Sequence, residues 1–474
     1  MSSVTSSVTS SESIAEVQPS EQILWAKHAL TDSGWQSQVR IDISAAGKIA
    51  AVQAGHEPCG LQTGIVLPAV ANLHSHAFQR AMAGMTETRG PDPRDSFWSW
   101  RKLMYRFLEK LTPDDAESIA LFGQMEMLES GYTAVGEFHY LHHQSGGGRY
   151  EQRAEMAERM IAAATQSGIG LTLLPVLYER GGCDGRELSG GQLRFGNSID
   201  EFAALYADIE SAIVPHSQTM SLGIAPHSLR AVSPESLSAA LTLVNGKPFH
   251  IHIAEQTAEV DEIVNAWGSR SVQWLLDNQP VDKSWCLVHA TQMETTETVQ
   301  LAKSGATVGL CPITESNLGD GIFDGVTYHQ HSGSWGVGTD SNVRISLGEE
   351  LRTLEYSQRL KEHGRAIYAD QQRSTGRVLY DMALDGGARS LQRDCGTLAV
   401  GKSADLLSLE AESEVFIAVE KDNWLDAWMF ASDDSLITDV WSSGRHVVSE
   451  GRHVEREKIE QRYRKTMTAL MDRL

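Results

Sequence analysis

Apolar residues in this chain fall into short blocks separated by turn residues, and their spacing differs between the ends and the middle. At the start, ILWA at 23–26, VRIDI at 39–43 and IAAV at 49–52 are brief, partly alternating segments bounded by turn formers, the pattern of strands. The stretches 396–407 and 437–448 read the same way near the other end. Two β-rich ends around a long middle predict one small β-sandwich domain assembled from residues 21–70 and 395–450. Residues 451–474 follow it with helical composition and a mixed-charge face.

The middle, residues 71–394, alternates the two periodicities. Strand candidates end near His74, Glu137, Pro175, His227, His252, His289, Cys311 and Asp340, with helical stretches between them. TPDD at 112–115 opens one helix with a Thr cap, a proline at the first helical position and an acidic third position. SPES at 233–236 opens another. Eight strand–helix alternations over about 320 residues predict an α/β fold, a (β/α)8 TIM-type barrel with long loops.

Composition narrows the class. Hydrophobic residues make up 41% and charged residues 22%, ordinary for a globular chain. No apolar run approaches the roughly 18 residues that would span a membrane; IGLTLLPVLY at 169–178 has the length of a buried strand. Forty basic against 62 acidic residues leave a net charge of −22, which repels phosphate backbones and disfavours nucleic acid. Five scattered cysteines without a CxxC pair suit reduced thiols in a cytoplasm. Residues 1–20 are Ser/Thr-rich and hold no Lys or Arg, which fits a disordered tail and neither a secretory signal nor a transit peptide.

The chemistry-bearing residues sit at the predicted strand ends. His74 and His76, two apart on a strand, point to the same side and can face one metal. His250, His252 and Glu255 follow the fifth strand, His289 ends the sixth and Asp340 the eighth. An HxH pair alone is weak evidence, but four such groups at the C-terminal ends of barrel strands mark the face where barrel enzymes place their sites. His250 shares a face with His252, so the residues alone allow either as a ligand.

With HxH, HxxE, His and Asp at the first, fifth, sixth and eighth strands, the chain resembles the amidohydrolase superfamily. The stretch GTLAVGKSADL at 396–406 also resembles that superfamily's return into its small β domain. The resemblance implies that His74, His76, His252 and Asp340 are metal ligands, with Glu255, His289 and Asp340 catalytic. Glu255 would shuttle protons and His289 would orient the water. The HxxE spacing then selects His252, and His250 packs one layer deeper. Three neutral imidazoles and a carboxylate suit one divalent ion per chain, Zn²⁺ above others, and such an ion lowers the pKa of water to about 7. Binuclear members bridge two metals with a lysine on the fourth strand, whereas no lysine lies between Lys110 and Lys247 here.

HSHAFQ at 74–79, FWSWR at 97–101, GEFHY at 136–140, APHSLR at 225–230 and CPITESNLGD at 311–320 resemble, more narrowly, the formimidoylglutamate deiminases. Ile313 and Ser316 depart from the commonest wording. The implied reaction is hydrolysis of N-formimidoyl-L-glutamate to N-formyl-L-glutamate and ammonia in histidine degradation, with Gln79, Arg101, Tyr140, His227 and Arg230 lining the pocket. Two carboxylates on so acidic a protein call for local guanidiniums, and Arg101 and Arg230 offer planar bidentate clamps. The Trp98–Trp100 region is expected in a long loop over the site, while His139, His142 and His143 have no assigned role. The expected partner is a small molecule with carboxylates, with a homodimer as the candidate assembly and no nucleic acid or membrane. The alternatives are a deaminase of guanine, cytosine or an adenosine derivative and, from a different class, a non-catalytic assembly protein built on the same barrel.

Overall fold

The computed structural model describes residues 18–88, 97–244 and 246–474, with residues 97–99 as backbone only. The tail expected over residues 1–20 therefore lies, through residue 17, outside the described residues.

The two ends of the chain meet in one eight-stranded sheet. Its strands are β1 (Gln22–Thr31), β2 (Gly34–Ile43), β3 (Ile49–Gln53) and β4 (Leu61–Pro68) from the first end. The barrel then contributes β5 (Val70–Ser75), β6 (Tyr132–His139), β7 (Gly170–Leu177), β8 (Met220–Leu222), β9 (Ala225–Pro226), β10 (Phe249–Ile253), β11 (Trp285–His289), β12 (Thr307–Leu310) and β13 (Ser334–Val337). The second end returns β14 (Leu406–Leu409), β15 (Ile437–Ser442), β16 (Arg445–Ser449) and β17 (Arg452–His453). The order in the small domain is β17-β16-β15-β14-β4-β1-β2-β3, so β4 against β14 joins the chain ends. Alternation along these strands sorts side chains to two faces. Leu24, Ala26, Val39, Ile41, Val66, Leu406 and Trp441 form a cluster of their own, while Ile65, Leu67, Leu407 and Val440 join the barrel core.

The apolar run at 65–70 serves two sheets: β4 ends at Pro68 in the small domain and β5 begins at Val70 in the barrel. Of the stretch at 396–407, only its last two residues are strand. A helix, Asp422–Ala431, interrupts the second β-rich end. Its buried Trp424, Leu425, Trp428 and Met429 carry the three-and-four spacing of an amphipathic helix. The last helix runs Arg456–Met471.

All eight expected barrel strand positions carry strand or bridge pairing, and the fourth is split into β8 and β9. β5 to β9 form one parallel group and β10 to β13 the other. The seams close through bridges Ser75–Asp340, Ile224–Phe249 and Ser228–His252. Strands covered by helices on one side and barrel interior on the other read as continuous apolar runs, as β7 does with all eight residues buried. At the first seam the amide of Asp340 donates to the carbonyl of His74 at 3.0 Å and that of His76 to the carbonyl of Asp340 at 2.9 Å. Gly338 permits this approach, because a Cβ there would lie 2.7 Å from the His74 carbonyl oxygen. Among the described residues no helix is long and apolar enough to cross a membrane.

Candidate active site

The closed seam puts the first and eighth strands' functional groups side by side. His74 Nε2 and His76 Nε2 lie 3.3 and 3.2 Å from Asp340 Oδ1, and His252 Nε2 lies 3.1 Å from His74 Nε2. His74, His252, His289 and Asp340 can each offer a ligand atom with all four within 4.8 Å of one another, and His76 joins through Asp340. The other ring nitrogens decide the tautomers. His76 Nδ1 faces the carbonyl of Phe138 at 3.1 Å and His252 Nδ1 that of His227 at 3.1 Å. A carbonyl only accepts, so those Nδ1 atoms carry the protons and the Nε2 lone pairs point inward. Burial pushes the His74 imidazole down to about 3 and holds His76 and His252 below the usual range. Burial would raise Asp340, yet His74, His76 and His289 hold it well below the usual carboxylate range. Neutral inward nitrogens around an ionised carboxylate are a donor set that fits a divalent cation.

Beside this cluster, His289 Nε2 sits 3.9 Å from both Glu255 Oε1 and Asp340 Oδ2. Burial raises the Glu255 carboxyl to about 6, with Asp340 and Glu259 adding to it and His289 opposing. Glu259 accepts from the amides of Ala254 and Glu255, both at 3.1 Å, and so holds the turn that presents Glu255. Ala254, His289, Ala290 and Asp340 all have φ between 45° and 73°. Non-glycine residues in this region carry strain that the surroundings must hold.

His250 lies deeper, its Nε2 2.9 Å from the carbonyl of Ser390, as the HxxE spacing suggested. The crowded histidines after β6 also find partners. His142 Nε2 faces the carbonyl of Val176 and His143 Nε2 that of Gly196, each at 2.9 Å, so both tie that loop to its neighbours. His139 is buried and its Nε2 has no partner among the described residues.

The pocket above the cluster encloses about 600 Å³ of non-protein space, its mouth included, within the range of small-molecule sites. Gln79, Arg101, Tyr140, His227 and Arg230 all line it together with His76, His252, Glu255, His289 and Asp340. Gln79 donates to the Tyr140 hydroxyl at 2.8 Å. Arg101 Nε donates to the Tyr105 hydroxyl at 2.6 Å. Arg230 is partly buried, and its Nε has no hydrogen-bond partner among the described residues.

The region expected as a covering loop is a helix, Phe97–Lys110, and its Trp100, Arg101, Met104 and Tyr105 face the pocket. The four-residue spacing of 100, 101, 104 and 105 was the available signal. Trp98's side chain lies outside the described residues. The sequence reading also missed Tyr178 and Phe195 in the wall, and Glu315, whose Oε1 lies 3.2 Å from His289 Nδ1. No local pattern marks the first two; Glu315 lay within a motif already noticed.

The chain is similar to known proteins over nearly all of its length. The model of the amidohydrolase family matches residues 65–447, and that of the N-terminal domain of formimidoylglutamate deiminase HutF matches residues 21–60. A formimidoylglutamate deiminase from Pseudomonas aeruginosa is 45% identical over 95% of this chain and 99% of its own length. An 8-oxoguanine deaminase from the same organism is 28% identical over 76% of this chain and 78% of its own. A crystal structure of an amidohydrolase from Brucella melitensis superposes with a TM-score of 0.91 at 45% identity, covering 95% of this chain and all of that one. A zinc-bound adenosine deaminase from Xanthomonas campestris, at 19% identity, shares the fold with a TM-score of 0.79 over 96% of this chain and all of its own. The chain thus belongs to the formimidoylglutamate deiminases of the amidohydrolase family.

Proposed function

We propose that this chain hydrolyses N-formimidoyl-L-glutamate to N-formyl-L-glutamate and ammonia, using His74, His76, His252 and Asp340 to hold one divalent ion, zinc by its donor set. The carrying observation is that one pocket joins the histidine–carboxylate cluster to two guanidiniums, Arg101 and Arg230. The substrate has the matching polarity, an amidine at one end and two carboxylates at the other. The absence of lysine from 111 to 246 supports a single ion. When bound, the ion supplies Lewis acidity and lowers the pKa of a water.

The residues supply the rest. Glu255, raised to about 6, is poised to take a proton from the attacking water and return it to the departing nitrogen. A C–O bond forms at the amidine carbon and the C–N bond to its terminal nitrogen breaks, releasing ammonia. Asp340 accepts a hydrogen bond from the attacking water, and His289 orients that water and stabilises the charge that develops at the carbon's new oxygen. Arg101 and Arg230 clamp the carboxylates, with Gln79, Tyr140 and His227 as neutral contacts. The five unpaired cysteines fit work in a reducing compartment such as the cytoplasm.

The aromatic walls Trp100, Tyr105, Tyr178 and Phe195 are the feature that also suits a flat nucleobase. Ammonia release from formimidoylglutamate beside guanine, cytosine and adenosine separates the two. Turnover of the glutamate derivative alone is expected; preference for a ring would return the nucleobase reading.

A further inference from the structure

His289 is held differently from His76 and His252 of the same cluster. His76 and His252 are held at Nδ1 by backbone carbonyls, whereas His289 is held there by a side chain, Glu315 Oε1 at 3.2 Å. Both partners are buried, His289 at 1% and Glu315 at 6% exposure. Glu315 is itself anchored: the same oxygen accepts from the amide of Cys311 at 2.9 Å, at the start of the helix Pro312–Leu318 that follows β12. A carboxylate on one ring nitrogen requires a proton there and fixes the ring plane, which sets what the other nitrogen faces. Here that other nitrogen lies 3.9 Å from both Glu255 and Asp340.

We propose that Glu315 is a positioning residue for the hydrolysis, keeping a proton on His289 Nδ1 so that Nε2 stays turned towards Glu255, Asp340 and the reacting water. The proposal rests on the deimination reading above. Its bland competitor is that Glu315 only caps its own helix through Cys311. The two separate in Glu315→Asp, which keeps a carboxylate near the helix start but, one methylene shorter, draws it away from the imidazole. Glu315→Gln does the reverse, since its amide oxygen still accepts from both groups.

The test compares metal-loaded wild type with Glu315→Asp, Glu315→Gln and Glu315→Ala. It measures kcat and KM for ammonia release, bound metal, and the ¹⁵N-histidine NMR signal of the His289 ring, assigned by its loss in His289→Asn. In the Asp and Ala variants kcat is expected to fall about tenfold or more, with KM within about threefold and metal content unchanged. Their protected Nδ1–H signal should vanish, and Gln should retain it and recover most of kcat. A kcat within about twofold of wild type in the Asp variant overturns the proposal. So does a loss that follows metal loss, or an unchanged Nδ1–H signal in the Ala variant. If wild type releases no ammonia from formimidoylglutamate, the deimination reading fails, while the NMR comparison still decides the Glu315–His289 contact.

Discussion

At the histidine end of the pocket, His74, His252 and His289 lie within strands, while His76 and Asp340 stand one and three residues past strand ends and are bridged to each other's backbone. At the arginine end, Arg101 projects from the helix Phe97–Lys110 and Arg230 from the loop after β9. At that end Arg101 bonds the Tyr105 side chain and the neighbouring Gln79 bonds that of Tyr140. Groups that must converge within a hydrogen-bond length are thus built on the barrel wall, and groups that recognise a longer ligand are carried by elements laid over it. Bond-making tolerates little displacement, whereas a guanidinium can adapt to a carboxylate along a flexible stem.

The largest expected effect lies at the histidine end. Glu255→Gln should lower kcat by about 10²- to 10⁴-fold and leave the metal content of the purified protein unchanged by elemental analysis. Loss of the ion would instead place Glu255 among the ligands.

At the arginine end the losses should be smaller and substrate-dependent. A charge-assisted hydrogen bond contributes about 1.5–3 kcal/mol, so Arg230→Met and Arg101→Met should each lower kcat/KM for formimidoylglutamate by about tenfold to a hundredfold. Arg230→Lys should recover only part of this, lacking the planar fork. An N-alkyl formamidine without carboxylates should be a poor substrate for wild type and variants alike. Equal efficiency of wild type on that compound would remove the clamp from the account.

Tyr140→Phe removes a neutral hydroxyl that accepts from Gln79 at 2.8 Å. At about 0.5–1.5 kcal/mol, kcat/KM should fall by roughly two- to tenfold; a loss as large as that of the arginines would mean the phenol does more than hold the amide.

The smallest effect on turnover should come from His250, on the same strand as His252 but bonded to the carbonyl of Ser390. His250→Leu should cost about 1–3 kcal/mol in denaturant unfolding, from the unsatisfied carbonyl, and leave the metal content as in wild type. Replacing His252 in the same way should lose the ion. Should the two variants behave alike, the division between a bonded inner layer and an open outer layer is wrong.

The local pattern of residues determined a good deal. Period-2 and period-3.6 stretches located the barrel strands within a few residues, because half-buried strands and amphipathic helices impose those periods on any chain. HxH, HxxE, His and Asp stood at strand ends, so the barrel's geometry alone assigned them to one face. In places the local reading failed: the Trp98–Trp100 region, expected in a loop, belongs to the helix at 97–110, a helix at 422–431 lies within the end expected as a β domain, and 396–405 reads as strand yet forms connections. Packing settled those, since each helix buries an apolar stripe against elements distant in sequence. Only the tertiary structure decided which ring nitrogen faces inward, because that depends on carbonyls such as Phe138, 62 positions from His76. It likewise joined the two chain ends into a single sheet through β4 and β14, and brought Glu315 to His289 across 26 positions. Periodicity is a property of neighbouring residues and is written locally, whereas a hydrogen bond between distant residues exists only once strand register and helix packing have placed both partners.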